Sequence, residues 1–152
     1  MRNLPFLNVS SKKDRMIVAF ITSIVAGVGL GFAYAFILAK MNINTEYSIV
    51  FVALGYLVGE AIKFTSKGVT NEIRIIGAIG GLICFFSADI FNFVIRYGFN
   101  FTFAVRLTIQ SYTYLLENII TFNSFINSLL SVLFRVVCVF TAYNNSTISF
   151  ER

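Results

Sequence analysis

Residues 16–39, MIVAFITSIVAGVGLGFAYAFILA, run for 24 positions without a charge. About 20 apolar residues are enough for a helix to cross the hydrocarbon core of a bilayer. A transmembrane helix is predicted there. A polar loop, KMNINTEYS, follows at 40–48. A second apolar run at about 47–64 is shorter and carries charge near its end. A third, at about 72–97, has Asp89 inside it and Arg74 and Arg96 near its two ends. The last lies at about 124–143.

Residues 101–122 follow a different pattern. Thr102, Arg106, Gln110, Thr113, Glu117 and Thr121 recur at spacings of four, four, three, four and four, which is the helical period. Phe103, Val105, Leu107, Ile109, Tyr112 and Leu115 lie between them. The pattern predicts an amphipathic helix at the membrane interface, or one that lines a single wet seam of a bundle. The Lys/Arg-rich polar face of a lipid-binding helix is missing, so protein contact is expected as well. The expected architecture is an all-α, polytopic membrane helical bundle. It has four transmembrane helices plus one interfacial amphipathic helix, in a single membrane domain over 1–152.

Composition agrees. The chain is 57% hydrophobic and 12% charged, whereas soluble domains carry about 25% charged residues. Mean hydropathy is +0.80. The bilayer is therefore the main solvent. The first run is too long for the apolar part of a signal peptide, so it reads as a retained helix.

The net charge of +5 does not outline a nucleic-acid surface. The arm SSKKDR at 10–15 reads as a topology signal and a lipid-headgroup contact. With four spans and the N-terminus inside, Arg2, Lys12, Lys13, Arg15, Lys63, Lys67, Arg74 and Arg152 fall on the cytoplasmic side. Lys40, Arg96 and Arg106 fall on the other. Eight against three predicts a multi-pass protein of the cell membrane with both termini cytoplasmic. The usage of Asn, Ile, Phe and Lys suggests an A/T-rich bacterial genome.

Small residues recur on single helix faces. Ser23, Gly27, Gly31, Ala35 and Ala39 fall every four residues in the first run. Gly55 and Gly59 form a GxxxG in the second, and Gly77 and Gly81 another in the third. Such faces let helix backbones approach closely. They serve equally within one chain or between copies, and packing within the chain is the simpler expectation.

A charge within a span costs about 2.5–3.5 kcal/mol on insertion scales and calls for a partner. Glu60 and Lys63 share a face, so Glu60 can pair with Lys63 or meet a partner from a neighbouring helix. Asn127, Ser131 and Arg135 form a stripe at four-residue spacing that is expected to face the bundle interior. Two polar layers are predicted. The inner one pairs Glu60 with Arg135, with Lys63 nearby. The outer one pairs Asp89 with Arg96 or Arg106. Such pairs fix helix register and topology, or line an ion or proton path.

Catalytic chemistry finds little to work with. There is no histidine, the commonest general base and metal ligand. Cys84 and Cys138 lie far apart in apolar runs and read as reduced packing residues. Ser87 near Asp89 has no base. The sequence has no P-loop, GxSxG or HExxH, so no enzyme, cofactor or metal site is expected.

The block GYLVGEAIKFTSKGVTNEIRIIGAIGG at 55–81 carries Gly55, Val58, Gly59, Ala61, Ile62, Lys63, Ser66 and Gly68 in the order G-x-x-V-G-x-A-x-K-x-x-S-x-G. It resembles uncharacterised bacterial four-span integral membrane proteins, and FTAY at 140–143 is similar to the close of their pattern. Glu60 departs from it. The resemblance implies four spans with a basic cytoplasmic second turn, and implies no activity. The functional expectation is a non-enzymatic scaffold or subunit of a membrane complex. Its partners would be the lipid bilayer and either a second copy or another membrane protein. The alternative is a small oligomeric channel or transporter that uses Glu60, Asp89 and Arg135.

Overall fold

A computed structural model describes residues 11–41, 49–67, 70–98, 100–121 and 125–148. Arg2, Gly68, Arg152 and most of the predicted loop at 40–48 lie outside the described residues. Five helices account for the described chain: α1 Lys12–Lys40, α2 Val50–Ser66, α3 Asn71–Tyr97, α4 Phe101–Ile120 and α5 Phe125–Asn145. Among the described residues there is no strand.

Their ends follow local chemistry. Ser11 caps α1, its hydroxyl oxygen accepting from the Asp14 amide at 3.2 Å. The helix therefore starts four residues before the apolar run. Gly98 ends α3 in the left-handed region at φ 65°, where a residue without Cβ has no steric penalty.

Among the described residues three helices, not the expected four, are long and apolar enough to cross a membrane: α1, α3 and α5. The second predicted span is shortened at its start, because α2 begins at Val50. Its 17 residues extend roughly 25 Å, against about 30 Å of hydrocarbon.

α1 and α3 lie side by side and run the same way. Lys12 meets Glu72, Ser23 donates to the Ile76 carbonyl at 3.1 Å, and the Phe32 ring meets Phe91 edge-on at 5.2 Å. α2 and α5 also run parallel, with Gly55 against Cys138 and Gly59 against Ala142. The two pairs are antiparallel to each other. Thr22 bonds Thr65 at one level of α1 and α2, and Tyr34 meets Phe51 at the other. Phe51, Val58, Ile62, Ile73, Cys84, Cys138 and Ala142 fill the interior. Ile21, Val25, Phe36, Val136 and Phe140 point outward and are exposed. This inverted arrangement suits lipid as the solvent.

The small-residue faces are used inside the chain. A Cβ built on Gly31 would lie 2.6 Å from the Cys84 carbonyl oxygen and 2.8 Å from the Ala88 nitrogen. One built on Gly55 would lie 2.2 Å from the Cys138 carbonyl oxygen. Gly27 packs on α3, while Gly59, Gly77 and Gly81 pack on α5. Gly80, which sequence spacing did not single out, faces Ser23 and Val58.

α4 sits outside this four-helix core, on the flank formed by α3 and α5. Phe101 and Leu116 are fifteen residues apart, roughly 22 Å along a helix. Both line cavities that include Leu82 and Phe86 of α3. α3 ends and α5 begins at the same end of the bundle, so α4, joined to both by short segments, crosses α3 instead of running along it. Ala104, Thr108 and Asn118 are buried against the flank, whereas Arg106, Gln110, Thr113 and Glu117 are exposed on the opposite side. The expectation that this stripe lines a wet seam inside the bundle is thereby corrected. The bundle already has four helices with complementary faces, and α4 adds its small residues to the outside.

Gly55→Ala is expected to destabilise the fold by about 3 kcal/mol, because the new methyl meets backbone that cannot rotate away. A Cβ at Gly29 meets nothing within 4 Å. Gly29→Ala should be neutral or stabilising by about 0.5–1 kcal/mol through helix propensity alone. Thermal unfolding in one detergent compares the two, and similar melting shifts would refute the close-packing account.

Candidate functional site

The buried charges gather at one place. Arg135, midway along α5, is 5% exposed, and Asp89 on α3 is 8% exposed. The antiparallel run of α3 and α5 puts them at one level. Arg135 Nη2 donates to Asp89 Oδ2 at 3.2 Å and to Oδ1 at 3.4 Å. Arg135 Nη1 donates to the Ser131 carbonyl at 3.2 Å and to the Ser131 hydroxyl. The Tyr112 hydroxyl, brought in by α4, donates to Asp89 Oδ2.

Aromatic faces complete the enclosure. The guanidinium lies 5.1 Å from the Phe51 ring centroid and 5.4 Å from that of Tyr112. Both are within cation–π range, and such contacts strengthen when water is excluded. Tyr112 also meets Phe85 and Phe86 edge-on. Four helices thus meet at one guanidinium: α2 through Phe51, α3 through Asp89, α4 through Tyr112 and α5 through Ser131.

The predicted partners are rearranged. Glu60 does not pair with Arg135. It accepts from Lys63 one turn along its own helix. The register explains this. Gly55 faces Cys138 and Gly59 faces Ala142, so Arg135 stands level with Phe51 and its neighbour. Glu60 lies roughly 12 Å farther along the bundle, at about 1.5 Å per residue. Asp89 meets Arg135 and Tyr112, two partners that the sequence spacing does not pair with it. Arg96 stacks over the Tyr97 ring at 6.0 Å. Arg106 is exposed on the outer side of α4, away from Asp89.

The four-residue spacing puts Ser131 on the stripe with Arg135 but sets Tyr112 only among the apolar residues of α4. A signal was available. Tyr112 follows Ala104 and Thr108 at four-residue spacing, opposite the polar stripe. Phe51 carried no comparable signal.

A cavity of about 400 Å³ opens beside the pair, lined by Asp89, Asn92, Thr108, Ser111, Tyr112 and Arg135 among others. The side-chain amide oxygen Oδ1 of Asn92 is buried in its wall without a hydrogen-bond partner. Such an acceptor suits a water or a small polar molecule. No group of three His, Cys, Asp or Glu residues able to hold a metal occurs among the described residues. Cys84 and Cys138 are both free and buried. The cluster offers a neutralised ion pair and fixed donors. It can hold and orient, and it presents no activated nucleophile.

Comparison with known proteins found no matching family model, no matching curated protein and no matching solved structure.

Removing one member of a buried ion pair leaves the other uncompensated, at about 3–5 kcal/mol. Arg135→Gln and Asp89→Asn should each fall in that range. The double variant should cost much less than their sum, by about 2 kcal/mol or more of coupling. Tyr112→Phe, which loses one bond to a carboxylate, should cost about 1.5–3 kcal/mol. A double-mutant cycle read by thermal or denaturant unfolding tests this, and additive losses would exclude direct coupling.

Proposed function

We propose that this chain is a non-enzymatic integral membrane protein that works as a subunit or scaffold of a membrane complex. In this reading α2 is a fourth span, held across the bilayer by longer helices on either side. Lys12 and Arg15 lie at the same end of the bundle as Lys67 and Arg74, since Lys12 bonds Glu72 and Arg15 bonds the Lys67 carbonyl. That basic end is the cytoplasmic one under the positive-inside rule, so both termini face the cytoplasm.

The observation that carries the reading is the outward polar stripe of α4. The close-packing faces and the buried charge cluster are occupied within the chain. Arg106, Gln110, Thr113 and Glu117 are turned away from it. Polar residues directed outward from a membrane bundle call for protein, headgroup or water to receive them.

A second reading, a small channel or transporter, draws on the cavity beside Asp89 and Arg135. Its reach is limited by Glu60, which pairs with Lys63 and stands apart from that cavity. The Asp89→Asn, Arg135→Gln double variant keeps the cluster neutral. Loss of ion or solute flux in liposomes, with stability largely retained, would favour transport.

The chain has a mass of 17.0 kDa. Extracted in native-lipid particles from its own host, the protein is expected in assemblies heavier than one chain. A bare single chain at every concentration would sink the subunit reading.

A further inference from the structure

The outward stripe of α4 is symmetric in its spacing and opposite in charge about its middle. Thr102 and Thr121, Arg106 and Glu117, and Gln110 and Thr113 each lie equally far from a point between Ser111 and Tyr112. All six are exposed. The side chains of Arg106, Gln110 and Glu117 make no hydrogen bond or ion pair with another described residue. Arg106 and Glu117 are eleven residues apart, roughly 16 Å along the helix, so they cannot reach each other within one chain.

Turn a second α4 antiparallel and set it against the first. Arg106 then faces the partner's Glu117, and Glu117 faces the partner's Arg106. Gln110 and Thr113 exchange contacts at the centre, and the two threonines close the ends. This is the self-complementary surface that a two-fold axis requires. The exposed side chains Ile109 and Leu116 form one margin of the stripe, and Phe103 and Tyr114 the other. The polar line is thus flanked by apolar residues that a neighbour would cover.

The membrane adds a second condition, and the fold meets it. Two copies inserted the same way are related by an axis along the membrane normal. Such an axis makes two helices antiparallel only if they lie across it. α1, α2, α3 and α5 run along the bundle, and α4 alone crosses it. Of the five helices, only α4 can therefore pair antiparallel with its own copy.

We infer that the partner of the α4 stripe is a second copy of this chain, forming a two-fold dimer locked by reciprocal Arg106–Glu117 pairs. The inference rests on the subunit reading above and names its partner.

Charge reversal tests it on the full chain in native-lipid particles, with mass read by native mass spectrometry. Wild type should have twice the 17.0 kDa chain mass. Arg106→Glu alone and Glu117→Arg alone should each fall to one chain, since each sets like charges opposite one another. The double variant Arg106→Glu, Glu117→Arg should return to two. The two single variants, co-expressed with different tags, should purify together, because every pair across their shared interface is again opposite in sign. If the single variants fail to accumulate separately, the double variant and the co-expressed pair still decide. Dimers unchanged by the single reversals, or no recovery in the double variant and the mixed pair, would overturn the inference. One copy bound to a different protein would overturn self-pairing while leaving the subunit reading standing. A bare wild-type monomer would end both.

Discussion

The ion pair between Arg135 and Asp89 is the constraint around which the structure is arranged. Two charges in a membrane bundle are tolerable only if most of their remaining hydrogen-bonding capacity is met. Ser131 and Tyr112 supply hydrogen bonds here and the faces of Phe51 and Tyr112 cover the guanidinium, which leaves Nε of Arg135 as the one buried donor of the pair without a hydrogen bond to a described residue. Each comes from a defined helix at a defined level. Sliding α5 by one turn would remove Arg135 from Asp89 and from Phe51 together. The cluster therefore fixes the register of α2, α3 and α5, and pins α4 to their flank through one tyrosine.

That register depends on how closely the backbones approach. Lipid gives helices no hydrophobic reason to associate, so contact area and shape must supply the attraction. α2 meets α5 through Gly55 and Gly59, and α3 meets α5 through Gly77 and Gly81. α1 lies on α3 through Gly27 and Gly31, where the Ser87 hydroxyl donates to the Gly27 carbonyl at 3.2 Å. The small residues decide which faces meet, and the charge cluster decides at what height. With both satisfied inside the chain, the outer side of α4 is left as the polar surface that points elsewhere.

Periodicity and composition alone determined much of this protein. Helices longer than a bilayer is thick and an apolar excess that water could not tolerate define an all-helical membrane fold. Gly27 and Gly31 share one face of α1 and Gly55 and Gly59 one face of α2, which spacing shows because it is a local property of a single helix. The amphipathic helix at 101–122 was legible for the same reason. The length of α2 was less so, since the sequence Tyr-Ser-Ile at 47–49 does not reveal where the helix starts.

Only the tertiary structure decided which helix each face meets. Sequence depth suggested Glu60 for Arg135, yet the α2–α5 register, set by where glycine backbones touch, carries Glu60 about 12 Å away. Asp89 found Arg135 because α3 and α5 run antiparallel at close range. Tyr112 became a ligand of that pair because α4 crosses the bundle instead of extending it. A sequence fixes the period and the side of a helix. The partner, the height and the crossing direction are relations between helices, and three-dimensional packing settles them.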